Sequence, residues 1–161
     1  MLPKNIQRFF VQTQKSLVNG NNLIEGKLSC CGSDEFEVFA HGKIMCGLAH
    51  DMSIFPVDGE MAITAQCKMC EKPFSVFDSR CDGYDRIFSK SNIPIELRTV
   101  SCARCHSNTF GLFVRYEYPE LQDLLDDGIT DVDNAFTWIQ ISLKCCTCGA
   151  NFKRFVDYET A

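Results

Sequence analysis

Apolar and polar residues alternate along much of this chain with a period of two. Phe36-Glu-Val-Phe39, Phe74-Ser-Val-Phe-Asp78 and Ala135-Phe-Thr-Trp-Ile-Gln-Ile-Ser-Leu143 each read as strands with one buried face. Thr109 to Tyr118 is longer and rich in aromatic and β-branched residues, and Pro119 ends it. Leu23 to Ser29, Met61 to Gln66, Glu96 to Ser101 and Phe152 to Tyr158 complete the strands. Only two stretches depart from this period. Ile6, Phe9, Phe10, Thr13 and Leu17 follow i, i+3, i+4, i+7 spacing, which predicts an α-helix over 3–18, stopped by Asn19-Gly20 and packing its phenylalanines on the sheet. Residues 119–127 predict a short helix before Gly128. The expected fold is mainly β: an N-terminal helix (1–22), a first unit (23–88) and a second unit (89–161). Each unit is an antiparallel zinc-ribbon-like module, and the two pack together.

The strands lead into cysteines. Cys102-Ala-Arg-Cys105 and Cys145-Cys-Thr-Cys148 are two C-x2-C pairs. Two residues between sulfurs let one tight turn aim both at a single ion, and four thiolates close a tetrahedral shell with no open position. Cys146, between ligands, is expected to point elsewhere. The first unit holds a third pair, Cys67-Lys-Met-Cys70, and the adjacent Cys30-Cys31.

The units also match each other. Cys31-Gly-Ser-Asp-Glu-Phe36 aligns with Cys105-His-Ser-Asn-Thr-Phe110, and Ile63-Thr-Ala-Gln-Cys67-Lys-Met-Cys70 with Ile141-Ser-Leu-Lys-Cys145-Cys-Thr-Cys148. Phe74 and Phe152 follow at equal offset. This alignment puts Leu28 where a leading cysteine should stand. Cys31, Cys67 and Cys70 remain, with Cys30 as the expected fourth ligand and Cys46, Cys81, His41 and His50 as rivals. A degenerate, metal-free first site is the alternative.

This arrangement resembles a duplicated zinc-ribbon or rubredoxin-like knuckle module, with the β-tent class typified by Yippee-like proteins as the other architecture of this kind. The resemblance covers about 130 residues and rests on knuckle spacing. Zn2+ is the expected metal, with iron as the alternative on the same sulfurs.

Eleven cysteines in 161 residues would suggest disulfides in an exported protein. The odd count, the C-x2-C clustering and a first segment without an export signal's apolar core point instead to a reducing cytoplasm. No apolar run is long enough for a membrane helix. Motifs for zinc hydrolysis, phosphate cradling, dinucleotide binding, a nucleophile elbow or base deamination are missing. The C-x2-C pairs sit in β surroundings rather than at a helix start, which disfavours thioredoxin-like chemistry.

The chain carries a net charge of −5, which argues against a generally basic nucleic-acid binder. Residues 117–134 hold Glu117, Glu120, Asp123, Asp126, Asp127, Asp131 and Asp133 with no lysine or arginine, so this segment alone is more acidic than the whole. It reads either as a hydrated loop or as a face for a basic protein partner. Together these features predict a non-enzymatic, zinc-stabilised binding protein of immunity or adaptor type. A nucleic-acid-associated protein is the second reading, with Phe110, Phe113, Tyr116 and Trp138 as stacking candidates if exposed. A thiol redox protein using Cys46, Cys81 or Cys146 is the third.

Overall fold

The computed structural model describes residues 1–161. Its strands are β1 (Phe10–Val18), β2 (Asn21–Leu28), β3 (Phe36–His41), β4 (Lys43–Cys46), β5 (Met52–Phe55), β6 (Ala62–Cys67), β7 (Pro73–Asp78), β8 (Arg98–Thr99), β9 (Thr109–Tyr118), β10 (Trp138–Cys145) and β11 (Asn151–Glu159). Two short helices, α1 (Tyr84–Phe88) and α2 (Leu121–Asp126), lie in the connections.

The predicted N-terminal helix does not form. Phe10–Val18 is a strand paired antiparallel with β2, from Phe10 opposite Leu28 to Val18 opposite Asn21. The residue that misleads is Asn19. Asn19-Gly20 reads as a helix stop, but both residues take positive φ, 52° and 83°, making the two-residue turn whose twist suits a hairpin. Phe10, Val11, Thr13 and Val18 favour strand, and the helical spacing of apolar residues is incidental on an edge strand that leaves Val11, Leu17 and Val18 exposed. Of the expected stripe, Ile6 enters the core from a turn and Phe9 stacks on Phe74, ring centroids 3.7 Å apart. Phe10 lies so close over β2 that a Cβ on Gly26 would sit 2.5 Å from its ring.

Nor does the chain fold as two ribbons packed face to face. Nine strands form one continuous sheet, with β4 and β5 as a separate hairpin. The strand that joins them is β9. One edge of β9 pairs with β10 from Phe110 to Glu117. The other edge is shared: β2 takes Phe113 to Tyr118, and β3 takes Thr109 and Phe110. Phe110, Leu112, Val114, Tyr116 and Tyr118 of β9 are all buried, in strict alternation. Five such side chains contribute on the order of 10 kcal/mol of burial. They meet Ile139, Ile141 and Leu143 of β10, Val38 of β3 and Ile63 of β6 in one core of 30 buried residues. Phe136 closes this core edge-on to Tyr116 and Tyr118, at 5.1 and 6.1 Å.

The registers of the two halves correspond. Phe36 stands opposite Cys67 as Phe110 stands opposite Cys145. Ala65 pairs with Phe74 as Leu143 pairs with Phe152, and beyond each pair the register shifts at a bulge. The acidic segment is folded. Leu124, Ile129 and Ala135 form a small second core, while Asp123, Asp126, Asp127, Leu121 and Leu125 face solvent. No helix is long and apolar enough to cross a membrane.

Candidate metal centres

Three of the cysteine turns are the same object. In each, the backbone N–H four residues after the first cysteine donates to that cysteine's carbonyl: Glu71 to Cys67 (2.9 Å), His106 to Cys102 (2.9 Å) and Gly149 to Cys145 (3.0 Å). The first cysteine's own N–H donates to the carbonyl five residues on, at Lys72 (3.3 Å), Ser107 (2.7 Å) and Ala150 (2.8 Å). The residue after the second cysteine is left-handed each time, with φ of 60°, 65° and 75° at Glu71, His106 and Gly149. His106 is thus a turn residue. This closure folds the two sulfurs of each C-x2-C pair to one side.

The fourth turn is built differently. Cys30 and Ser33 exchange both backbone hydrogen bonds, at 2.9 and 2.8 Å, around Cys31-Gly32, whose φ values are 55° and 72°. This two-residue hairpin turn brings the sulfurs of Cys30 and Cys31 to the same side. Leu28, aligned with the leading cysteine, is instead buried in the core.

Two clusters result. Cys30, Cys31, Cys67 and Cys70 lie with their sulfurs all within 4.8 Å of one another, and so do Cys102, Cys105, Cys145 and Cys148. A tetrahedral ion with metal–sulfur bonds of about 2.3 Å needs sulfur–sulfur edges of about 3.8 Å. The Cys30–Cys31, Cys30–Cys70, Cys102–Cys148 and Cys105–Cys145 separations are 3.8, 3.7, 3.7 and 3.5 Å. All eleven cysteines are free thiols. Both groups can therefore hold a metal ion, and Cys30, rather than any rival, completes the first.

The electrostatics of these sulfurs are uneven. The Lys72 backbone N–H pulls Cys70 down to about 7. Burial pushes Cys145 up, but the N–H groups of Cys148 and Thr147 and neighbouring thiols outweigh it and bring Cys145 down to about 6. Burial, with hydrogen bonds among the neighbouring thiols, drives Cys30 up to about 12. At Cys105 the Ser107 N–H lowers the value, yet burial and the other three thiols carry it up to about 12. In each cluster one thiol is thus drawn toward its thiolate while a neighbour is held protonated, and a dication at the centre would favour the charged form of both.

The remaining candidates lie elsewhere. Cys46 is exposed on the β4–β5 hairpin, and His50 follows it. His41 accepts from the Glu96 N–H at 3.0 Å through Nδ1. Cys81 is pushed up to about 11 by burial, then by Asp82 and Asp78, and burial followed by Glu35 also raises Cys146. Both thiols are thus held toward their protonated form. Phe110 and Tyr116 are fully buried, whereas Phe113 and Trp138 are exposed.

Sequence spacing does not foretell the charged network at the end of β6 and β7 away from the first cluster. Buried Glu60 accepts from Arg86 at 3.1 Å and from the Ser79 hydroxyl, and Arg86 Nε donates to the Ser79 carbonyl at 2.6 Å. These residues meet only through the fold. Comparisons with protein-family models, with curated proteins and with solved structures gave no significant match to this chain.

Proposed function

We propose that this chain is a non-enzymatic, zinc-stabilised binding protein, built from a duplicated knuckle module and working in a reducing compartment. The observation that carries the reading is the pair of four-sulfur sets at tetrahedral spacing. Four thiolates saturate Zn2+ and leave it no position for substrate, so its contribution is to hold turns in place. The residues that would hold it are Cys30, Cys31, Cys67 and Cys70 in one half and Cys102, Cys105, Cys145 and Cys148 in the other.

The working surface is then the sheet and its connections, as in an adaptor or immunity protein. The acidic segment supports a basic protein partner at the α2 edge, where exposed Asp123, Asp126 and Asp127 flank the exposed Leu121 and Leu125.

Metal analysis of the purified chain tests the scaffold. Two equivalents of zinc per chain, with loss of the folded state on chelation, are expected; iron in place of zinc, or a metal-free protein that folds equally well, overturns the reading. The partner is tested by changing Asp123, Asp126 and Asp127 to Lys. Capture of a basic partner should disappear while metal content holds, and unchanged capture removes this edge from the proposal.

A further inference from the structure

The outer face of β9, β10 and β11 is unlike the rest of the molecule. The inward residues of these strands form the core, but no other element covers the outward ones. Phe113 is 44 % exposed and Trp138 39 % exposed. Between and beside them stand Arg115, Lys144, Lys153 and Arg154. Glu117, Asp157 and Glu159 share the face at its Trp138 end, so the excess of positive charge lies at the Phe113 end. Lys144, Lys153 and Arg154 make no ion pair; Arg115 lies 3.5 Å from Glu25, the one acid lining the open groove of about 540 Å3 that these strands share with β1 and β2.

Arg154 is held there by the backbone. It is left-handed, with φ 55°, at the bulge where the β10–β11 register shifts, and its N–H lies 3.4 Å from the Ser142 hydroxyl. A bulge re-aims side chains, and a non-glycine residue at positive φ costs about 1 kcal/mol or more. Gln140, Ser142 and Asn151 add polar groups to the groove. Trp138 is fixed at its edge, its indole N–H donating to Asp157 at 2.5 Å, so a ring face remains free. Phe113 stands opposite Ser142, and Trp138 is four residues along the same strand, roughly 14 Å away.

We propose that this face binds single-stranded nucleic acid. The phosphates lie along Arg115, Lys144, Lys153 and Arg154, and bases stack on Phe113 and Trp138. Separated aromatic platforms with a basic track between them suit a strand whose bases are unpaired; a duplex hides its base faces. Charge orients the occupant: Glu117, Asp157 and Glu159 gather at the Trp138 end, whereas Lys144 and Lys153 stand at the Phe113 end and Arg115 and Arg154 reach the hollow beside Trp138, so the phosphates follow the cations and a terminal base reaches the indole.

The test uses the full chain with its metal. Trp138 is the single tryptophan, so its fluorescence reports on this face alone. Titration with a dT15 oligonucleotide at low salt should quench it. Three to four phosphate contacts predict a slope of log K on log salt of about −2 to −3. Changing Lys153→Gln together with Arg154→Asn, which tolerates the left-handed backbone, should weaken binding at least tenfold, and Phe113→Ala should do the same. No quenching at 100 μM oligonucleotide overturns the proposal. Equal quenching by poly-glutamate, or by a duplex of the same length, also overturns it, since charge alone would then suffice. The site rests on the sheet face and not on zinc: failure with both metal equivalents retained counts against this inference only, and a change in metal content counts against the scaffold reading.

Discussion

The two cysteine clusters reach one geometry by unequal means. In the second half two identical knuckles face each other, and every sulfur comes from a turn closed by two backbone hydrogen bonds. In the first half one knuckle faces a hairpin turn with adjacent cysteines, and Cys31 is left-handed there as His106 is in the second half. That position costs about 1 kcal/mol, and Cys31 is exposed. The first half has another anchorage, the buried Glu60 with Arg86 and Ser79. The difference teaches that a four-sulfur site constrains where the sulfurs end, not how the chain arrives.

The strongest way to break this comparison is to remove one ligand from each cluster. On the proposed reading each cluster holds a structural zinc, and such a site supplies about 10–16 kcal/mol, as much as a typical domain's whole stability. Cys145→Ser should therefore lose one metal equivalent and its cooperative urea transition. Cys31→Ser should also lose one equivalent but keep a cooperative transition at a lower midpoint. Equal collapse of both would show that the halves depend on their ions alike.

Arg86→Met comes next. It leaves Glu60 buried without its cation, at a cost of about 3–5 kcal/mol, read by urea unfolding with both metal equivalents retained. A change below about 1 kcal/mol would mean that the first half does not lean on this pair.

Asp82, between β7 and α1 in the first half, sharpens the comparison through pH. Burial, against the Asp78 backbone N–H, raises its carboxyl from 3.8 to about 6. A raised carboxyl binds its proton more tightly in the folded state. Its stabilising contribution is complete below about pH 4 and is lost as pH rises through about 6. Asp82→Asn should thus be more stable than the parent at pH 7, by up to about 2–3 kcal/mol, with no difference near pH 4. A constant difference across that range would exclude titration as the cause.

The smallest effect compares the turns themselves. Gly32 and Gly149 have φ of 72° and 75°, with open space where a Cβ would stand. Alanine at either should cost about 1 kcal/mol through the backbone alone. Only Gly32→Ala should hasten metal release to a chelator from the first cluster, because it loads a turn already carrying Cys31.

These contrasts also separate what the chain displays from what it conceals. The C-x2-C turns were legible because everything that closes them lies within six residues. The matching Phe36 and Phe110, and Phe74 and Phe152, were legible because each sits at fixed offset from a knuckle. Cys30 was harder to read, since adjacent cysteines reach one site only through a particular hairpin turn. The helix expected over 3–18 failed because apolar spacing outweighed Asn19-Gly20, a stronger local signal for a hairpin. The expected fold of two ribbon-like units packed together gave way to one sheet for another reason: nothing local reveals that β9 offers one edge to both β2 and β3. Glu60, Ser79 and Arg86 are likewise unremarkable until the fold brings them together.

The shared edge of β9 has a practical corollary for anyone dissecting the protein. A fragment ending near residue 89 would deprive β2 of its neighbour along Phe113–Tyr118 and uncover the start of β3. Both fragments would then carry raw, apolar strand borders, the surfaces through which polypeptides clump. Limited trimming at the termini is a sounder route to a minimal version than bisection.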